Sequence, residues 1–344
     1  MKKILIFSNG EKMGDGLIKL PFIYEIFTRF PNCNITWVAY GTTVYSSSLK
    51  KMSENYLYQI IDKAELKAVP WKKISKKFNF EKENYDIIID TQKTVIKTLA
   101  LKRIKTNIFI SSAAAWMFSD LKPVKKTNKK RYYLDNLYEM LELVLKTKIE
   151  YKQNYSFDSK LEEKIEKIFF NKHPCIGIAP GAGEKNRQWK IENFLEVSKY
   201  FLNKGFNIAF FVGPDDEYEK KIIIQNIPQA FFPEDLIDNF LGPEIVMCST
   251  KYLKCSLSND TGTGHMLSTN LCPQLKLFCK YDPIKFTPKS NIIRILSSQE
   301  YNSDNIILKS ILNLDLRDSG FPLRILRYVS ASGFVFVELN ILFK

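Results

Sequence analysis

An aspartate held between two glycines, in Met13-Gly14-Asp15-Gly16-Leu17-Ile18-Lys19-Leu20-Pro21, is the first place where residue types and spacing point to chemistry. The segment follows a short apolar run and precedes a helical stretch, which is where open α/β sheets place their ligands. Gly14 and Gly16 let the backbone turn and approach a bound molecule. A carboxylate at that edge can take a proton from an attacking hydroxyl. From spacing alone a plainer role is favoured, with Asp15 capping a helix that begins at Leu17.

Three further segments repeat the strand–turn–helix theme. Pro180-Gly181-Ala182-Gly183-Glu184-Lys185-Asn186-Arg187-Gln188-Trp189 offers backbone N–H groups to a phosphate, with Lys185 and Arg187 adding cationic charge. It matches neither the P-loop nor the dinucleotide fingerprint, and a plain junction with two solvated cations explains it as well. Asp260-Thr261-Gly262-Thr263-Gly264-His265 gathers two hydroxyls, two glycines and one of only two histidines at a strand end. A capped helix accounts for Asp260 and Thr261 but not for the glycine pair followed by His265, so a diphosphate cradle is the better reading. In Val212-Gly213-Pro214-Asp215-Asp216-Glu217 a carboxylate just past a strand end could accept ribose hydroxyls, though three acids at a helix start also suit the helix dipole.

The elements that must position these segments are legible as alternating strands and helices. Ile4–Phe7, Asn34–Tyr40, Ile87–Asp90 and Ile108–Ile110 read as strands, with helices over about Leu17–Arg29 and Tyr132–Lys146. Leu134, Leu137, Leu141 and Leu145 fall on one face of the latter. Glu150–Lys160 is polar and weakly patterned, the expected linker. The theme then restarts with strands at Cys175–Ala179, Asn207–Val212, Cys255–Ser258 and Gln274–Phe278, and a helix over about Ile191–Lys204 ended by Gly205. Two α/β units that each open with a strand and a glycine turn predict two Rossmann-like, doubly wound domains facing a cleft. The expected limits are 1–155 and 156–315. Residues 316–344, including the apolar run Phe334–Phe343, have no place in either sheet.

Composition narrows the class. A chain of 344 residues with 45% hydrophobic residues is long enough for two cores. The net charge of +14 invites an anionic partner, yet its lysines are spread widely. No segment interleaves aromatics with cations as nucleic-acid binding requires, so no nucleic acid is expected. Six cysteines without a C-x-x-C pair, and two histidines, give no ordinary zinc ligand set. Such scattered cysteines read as reduced thiols of a cytoplasmic protein. Ile4–Phe7 is only four residues long, so a strand is expected there rather than a leader peptide, and no apolar run approaches a membrane span.

Taken in order, GDGLIKLP, PGAG with Arg187-Gln188-Trp189, VGPDDE and NDTGTGH resemble the ADP-heptose:lipopolysaccharide heptosyltransferases of glycosyltransferase family 9. The resemblance runs from about residue 2 to about 312, and Leu271-Cys272-Pro273 and Asp282-Pro283 resemble the family's ending. It implies a GT-B fold, acceptor in the first domain and nucleotide sugar in the second. By position, Asp15 resembles the catalytic base, with Gly14 and Gly16 on the acceptor side. Gly181, Gly183, Lys185 and Arg187 resemble the phosphate-facing turn, with arginine where the family usually has lysine. Glu217 resembles the ribose carboxylate. Asp260, Thr261, Gly262, Thr263, Gly264 and His265 resemble the donor-sugar and diphosphate cradle.

The resemblance further implies an inverting, metal-independent enzyme without a cofactor. Its donor would be a nucleotide-diphosphate sugar (ADP-heptose in the family), and its acceptor a lipopolysaccharide core or related anionic glycan. No Asp-x-Asp triplet occurs to hold a divalent ion on the diphosphate. The expected location is cytoplasmic, with a peripheral contact at the inner membrane through the basic segment 122–131; a simple solvated loop explains that segment equally well. The competing expectation keeps the fold and changes the chemistry, to a nucleotide-sugar epimerase or a transferase using another nucleotide sugar.

Overall fold

The computed structural model describes residues 1–67, 69, 72–75, 83–124, 132–152, 155–183 and 188–278, and the backbone of 293–297. Among these, two five-stranded parallel sheets carry the chain. The first contains β1 (Lys3–Ser8), β2 (Asn34–Ala39), β3 (Gln59–Ile61), β4 (Tyr85–Asp90) and β5 (Thr106–Ser111), in the order β3-β2-β1-β4-β5. The second contains β6 (Cys175–Ala179), β7 (Asn207–Phe210), β8 (Cys255–Asn259), β9 (Gln274–Phe278) and β10 (Ile293–Ser297), in the order β10-β9-β8-β6-β7.

Both sheets follow from their sequences. Ile4, Leu5, Ile6 and Phe7 are completely buried, as expected of a parallel strand covered on both faces. Ile4 pairs with Ile35 on one side and Ile87 on the other. In each sheet the strand order reverses once, between β1 and β4 and between β6 and β8. Ligands of open α/β sheets bind at such switch points. The aspartate segment leaves β1, while the Pro180 turn and the Asp260 segment leave β6 and β8, so all three lie at these points.

The helices are α1 (Met13–Arg29), α2 (Lys50–Ser53), α3 (Val95–Leu101), α4 (Tyr133–Leu145), α5 (Ser159–Phe169), α6 (Ile191–Asn203), α7 (Glu217–Asn226), α8 (Gly242–Ser249) and α9 (Gly262–Met266). Helix α4 buries Leu134, Leu137 and Leu141 as its spacing predicts, and Lys146 at φ +55° ends it. Gly205, at φ +84°, follows α6.

Two local readings are corrected. Helix α1 starts at Met13 rather than Leu17, so Gly14, Asp15 and Gly16 form its first turn. Here glycine serves close packing instead of a bend: a β-carbon on Gly16 would lie 2.4 Å from Val44 Cγ2, and the Tyr45 hydroxyl donates to the Gly16 carbonyl at 2.7 Å. Those contacts outweigh glycine's weak helix propensity. The polar segment read as a linker ends inside the start of α5, capped by the Asp158 carboxylate accepting from the Lys160 N–H at 2.8 Å. Leu161, Ile165 and Phe169 bury the apolar face of that helix.

One apolar core runs through elements of both sheets. It joins Ile4, Ile6, Leu17, Trp37 and Leu137 to Ile165, Cys175, Met247, Met266 and Leu267. No helix among the described residues is long and apolar enough to cross a membrane. The apolar run Phe334–Phe343, the rest of 316–344 and Asp282-Pro283 lie outside the described residues.

Candidate active site

The starts of α1 and α9 meet. A β-carbon on Gly14 would stand 2.7 Å from His265 Cδ2, and one on Gly262 would stand 2.9 Å from Met13 Cβ. At both points glycine makes room for a side chain of the other helix. Asp15, at the third position of α1, is open to solvent and close enough to Asp260 for their charges to interact. It does not cap α1; the capping position is Lys12, which makes no side-chain cap bond. A carboxylate in a first turn is favoured by the helix dipole instead.

The environment of Asp15 holds competing charges. Loss of solvent around the carboxyl raises its pKa above the ordinary aspartate value, Lys19 and Lys12 oppose that rise, and Glu11 and Asp260 add to it. A base with raised proton affinity is better able to accept a proton near neutral pH.

The Asp260 segment is built as a rigid cradle. Thr261 caps α9, its hydroxyl accepting from the Gly264 N–H at 3.1 Å. Gly264 is squeezed against Asn259 O, 2.5 Å from where a β-carbon would sit, and its carbonyl accepts from Gln274 Nε2 at 2.6 Å. Asp260 is buried, with the fully buried Lys276 Nζ at 3.3 Å and His265 Nε2 at 3.8 Å from its Oδ1. Thr261, Gly262 and Thr263 remain partly accessible.

Asn259 ties this cradle to the Pro180 turn. Its amide donates to Pro180 O at 2.7 Å, and its Oδ1 accepts from the Trp189 N–H at 3.2 Å. Gln188 Nε2 reaches Pro180 O at 3.3 Å and Glu219 at 3.2 Å. Gly181 is buried under Asp216, whose Oδ2 is 2.1 Å from where a β-carbon would stand, and Gly183 is exposed with open space around it. Lys185 and Arg187 lie outside the described residues. Glu217 occupies the first position of α7, exposed, while its neighbour Asp216 faces the Ala182 and Gly213 N–H groups, which favour its charged form against burial.

Sequence reasoning therefore brought Asp15 and the 260–265 segment to one place but missed their supports. Asn259 and Asp216 lay inside the quoted NDTGTGH and VGPDDE motifs without a role assigned to them, and Gln274 and Lys276 carried no motif signal; a lysine in the middle of the strand pattern Gln274–Phe278 was the one available sign. Glu11 is a second omission, buried and bonded to Lys19 and Trp37. Among the described residues no group of three or more His, Cys, Asp or Glu could hold a metal ion. In the basic segment 122–131, residues 125–131 lie outside the described residues, and Val124 is fully exposed.

Residues 77–313 match the model of the family described as glycosyltransferase family 9 (heptosyltransferase). The chain belongs to glycosyltransferase family 9. The matched span includes the Pro180 turn and the Asp260 cradle and begins after Asp15. Solved structures extend the likeness over nearly the whole chain. A family 9 glycosyltransferase from Veillonella parvula superposes with a TM-score of 0.64 at 17% identity, covering 91% of this chain and 90% of that one. E. coli heptosyltransferase WaaC, solved with ADP-2-deoxy-2-fluoro heptose, superposes at 0.57 with 16% identity, covering 86% and 92%. At such identities the likeness establishes the GT-B fold. The lipopolysaccharide core heptosyltransferase OpsX of Haemophilus influenzae is 22% identical over 126 residues, 37% of this chain and 36% of that protein. The alignment thus spans about a third of that curated relative. As a family 9 member the chain is a glycosyltransferase of the heptosyltransferase type.

Proposed function

We propose that this enzyme moves heptose from ADP-heptose onto a hydroxyl of a lipopolysaccharide core or related anionic surface glycan, inverting the anomeric centre without a metal ion. Residues 1–155 would bind the acceptor and 156–315 the donor. The ADP-heptose analogue bound by WaaC and the name of OpsX support the choice of donor and acceptor.

In this mechanism Asp15 takes the proton of the acceptor hydroxyl. The hydroxyl oxygen attacks the anomeric carbon from the side opposite the nucleotide diphosphate, and the bond to the diphosphate breaks. Direct displacement needs one base, not the carboxylate pair of a retaining glycosidase. Asp260 is ill suited to be a second base, because Lys276 and His265 already engage it. Charge on the departing diphosphate would be met by the N–H groups around Gly262–Gly264 and by Lys185 and Arg187. The absence of an Asp-x-Asp triplet supports the metal-independent course. Glu217, exposed at the start of α7, would receive the ribose hydroxyls. The lysines of segment 122–131 would face the acceptor's anionic groups at the membrane surface.

The observation that carries this reading is the apposition of Gly14 and His265, which sets an accessible carboxylate beside a glycine-rich helix start. Replacing Asp15 by Ala should abolish heptose transfer from ADP-heptose while the thermal shift produced by ADP persists. Full turnover by that variant rejects Asp15 as the base. A stabilising shift from UDP-N-acetylglucosamine but none from ADP or ADP-heptose rejects the donor.

A further inference from the structure

Beneath Asp15 lies a charge pair that the transfer mechanism has not used. Glu11 precedes α1 and Lys19 sits on its second turn, and both are buried. Lys19 Nζ meets Glu11 Oε1 at 2.7 Å, and the other carboxylate oxygen accepts from Trp37 Nε1 at 3.2 Å. Aromatic rings close the space around them: Lys19 Nζ is 5.6 Å from the Tyr133 ring centre and 5.9 Å from that of Trp37. Tyr45 packs edge-on against Trp37 at 5.0 Å. The backbone of Glu11 is pinned by its N–H to Thr42 O at 3.0 Å. Neither charge is free to move away.

Lys19 follows Asp15 by four residues, one helical turn, so the two share a face of α1. Burial by itself lowers the Lys19 pKa, but the facing Tyr133 and Glu11 groups more than offset this, and Lys19 stays protonated. A buried ion pair is a poor device for stability alone, since apolar residues of equal volume serve at least as well. Its placement against Asp15 gives it another use.

We propose that Glu11 and Lys19 are positioning residues, a buried charge couple that governs when Asp15 holds a proton. The proposal rests on the reading of Asp15 as the base. Other charges face Asp15 as well. Lys12 lies just before α1, Asp260 follows β8 and is engaged by Lys276 from β9, and His265 of α9 packs on Gly14. Of Lys12 and Lys19, Lys19 is the buried one, held in place by the Glu11 carboxylate. Before transfer it keeps Asp15 ionised against the loss of solvent. Once the acceptor proton has arrived, Glu11 keeps that lysine from pulling the proton off again.

The test follows the Asp15 carboxyl carbon by NMR titration of the full chain labelled with carboxyl-13C aspartate, the signal being assigned by its loss in Asp15→Asn. Lys19→Met should move the midpoint to higher pH and Glu11→Gln to lower pH. The double variant, which carries neither charge, should return close to the wild-type midpoint, because the two opposite shifts cancel. Lys19→Arg should preserve the wild-type value. If Lys19→Met does not fold, the Glu11→Gln and double variants carry the test, because the double variant leaves no unpaired buried charge. A wild-type midpoint in the folded single variants that remove one charge, Lys19→Met or Glu11→Gln, overturns the proposal. Turnover retained by Asp15→Asn with ADP-heptose instead overturns the role of Asp15 as base, whatever the midpoints do.

Discussion

Gly14 of α1 and His265 of α9 touch across the join between the two sheets, with no room for a β-carbon between them. His265 is itself buried, so it has little freedom to retreat. Gly14→Ala should force the two helix starts apart. Displacements of this size near reacting groups cost on the order of 10- to 100-fold in rate. Steady-state kinetics should show that loss beside a small change in melting temperature. Wild-type kinetics in the alanine variant would show that the close approach is unimportant.

Asp216 and Glu217 are neighbours with different tasks. Asp216→Asn should lower the melting temperature, because that carboxylate packs under Gly181 and faces the Ala182 and Gly213 N–H groups. Glu217→Gln alters an exposed side chain and should leave stability within about 0.5 kcal/mol. Under the proposed function it should weaken ADP binding by about tenfold, the cost of a hydrogen bond to a charged group. Calorimetric titration and thermal melts separate the two effects.

Lys276 is fully buried beside Asp260, a pair in which each charge compensates the other. Lys276→Met should destabilise the fold by roughly 3–5 kcal/mol, the usual cost of removing one partner from a buried pair. Denaturant unfolding measures this directly. A loss under about 1 kcal/mol would mean that the carboxylate had found other support.

Glu234 supplies a pH dependence. Burial pushes its carboxyl up to about 8, with Asp235 adding to the rise and Lys220 opposing it. Below the ordinary glutamate value both folded and unfolded chains hold the proton. Between that value and about 8 the unfolded chain releases it while the folded chain keeps it, so the contribution of Glu234 to stability falls as pH rises through this window. Glu234→Gln should therefore raise the melting temperature at pH 8.5 and change it little near pH 4.5. An equal effect at both pH values would contradict this assignment.

Much of this organisation was legible in the residues. The apolar runs of β1, β4 and β6 carry a buried-strand pattern, and glycine segments mark where β1, β6 and β8 end. Helix starts were less legible. Gly14 and Gly16 read locally as helix breakers, and only contacts from Tyr45, Val44 and His265, distant in sequence, make them helical. Helix α5 was hidden by its polar face, although Leu161, Ile165 and Phe169 recur every four residues. Supporting residues such as Gln274 and Lys276 were invisible for a different reason. Their role depends on partners brought together by the sheet, and no spacing along the chain encodes such a meeting.

The apolar core that passes from Leu17 and Trp37 to Met247 and Leu267 bears on how the enzyme can move. Interlocked side chains along the seam resist parting like a door on a free pivot. Such packing favours small sliding of the packed surfaces, of the shear type, over a free hinge. Calorimetry should register the two sheets melting together as one cooperative unit.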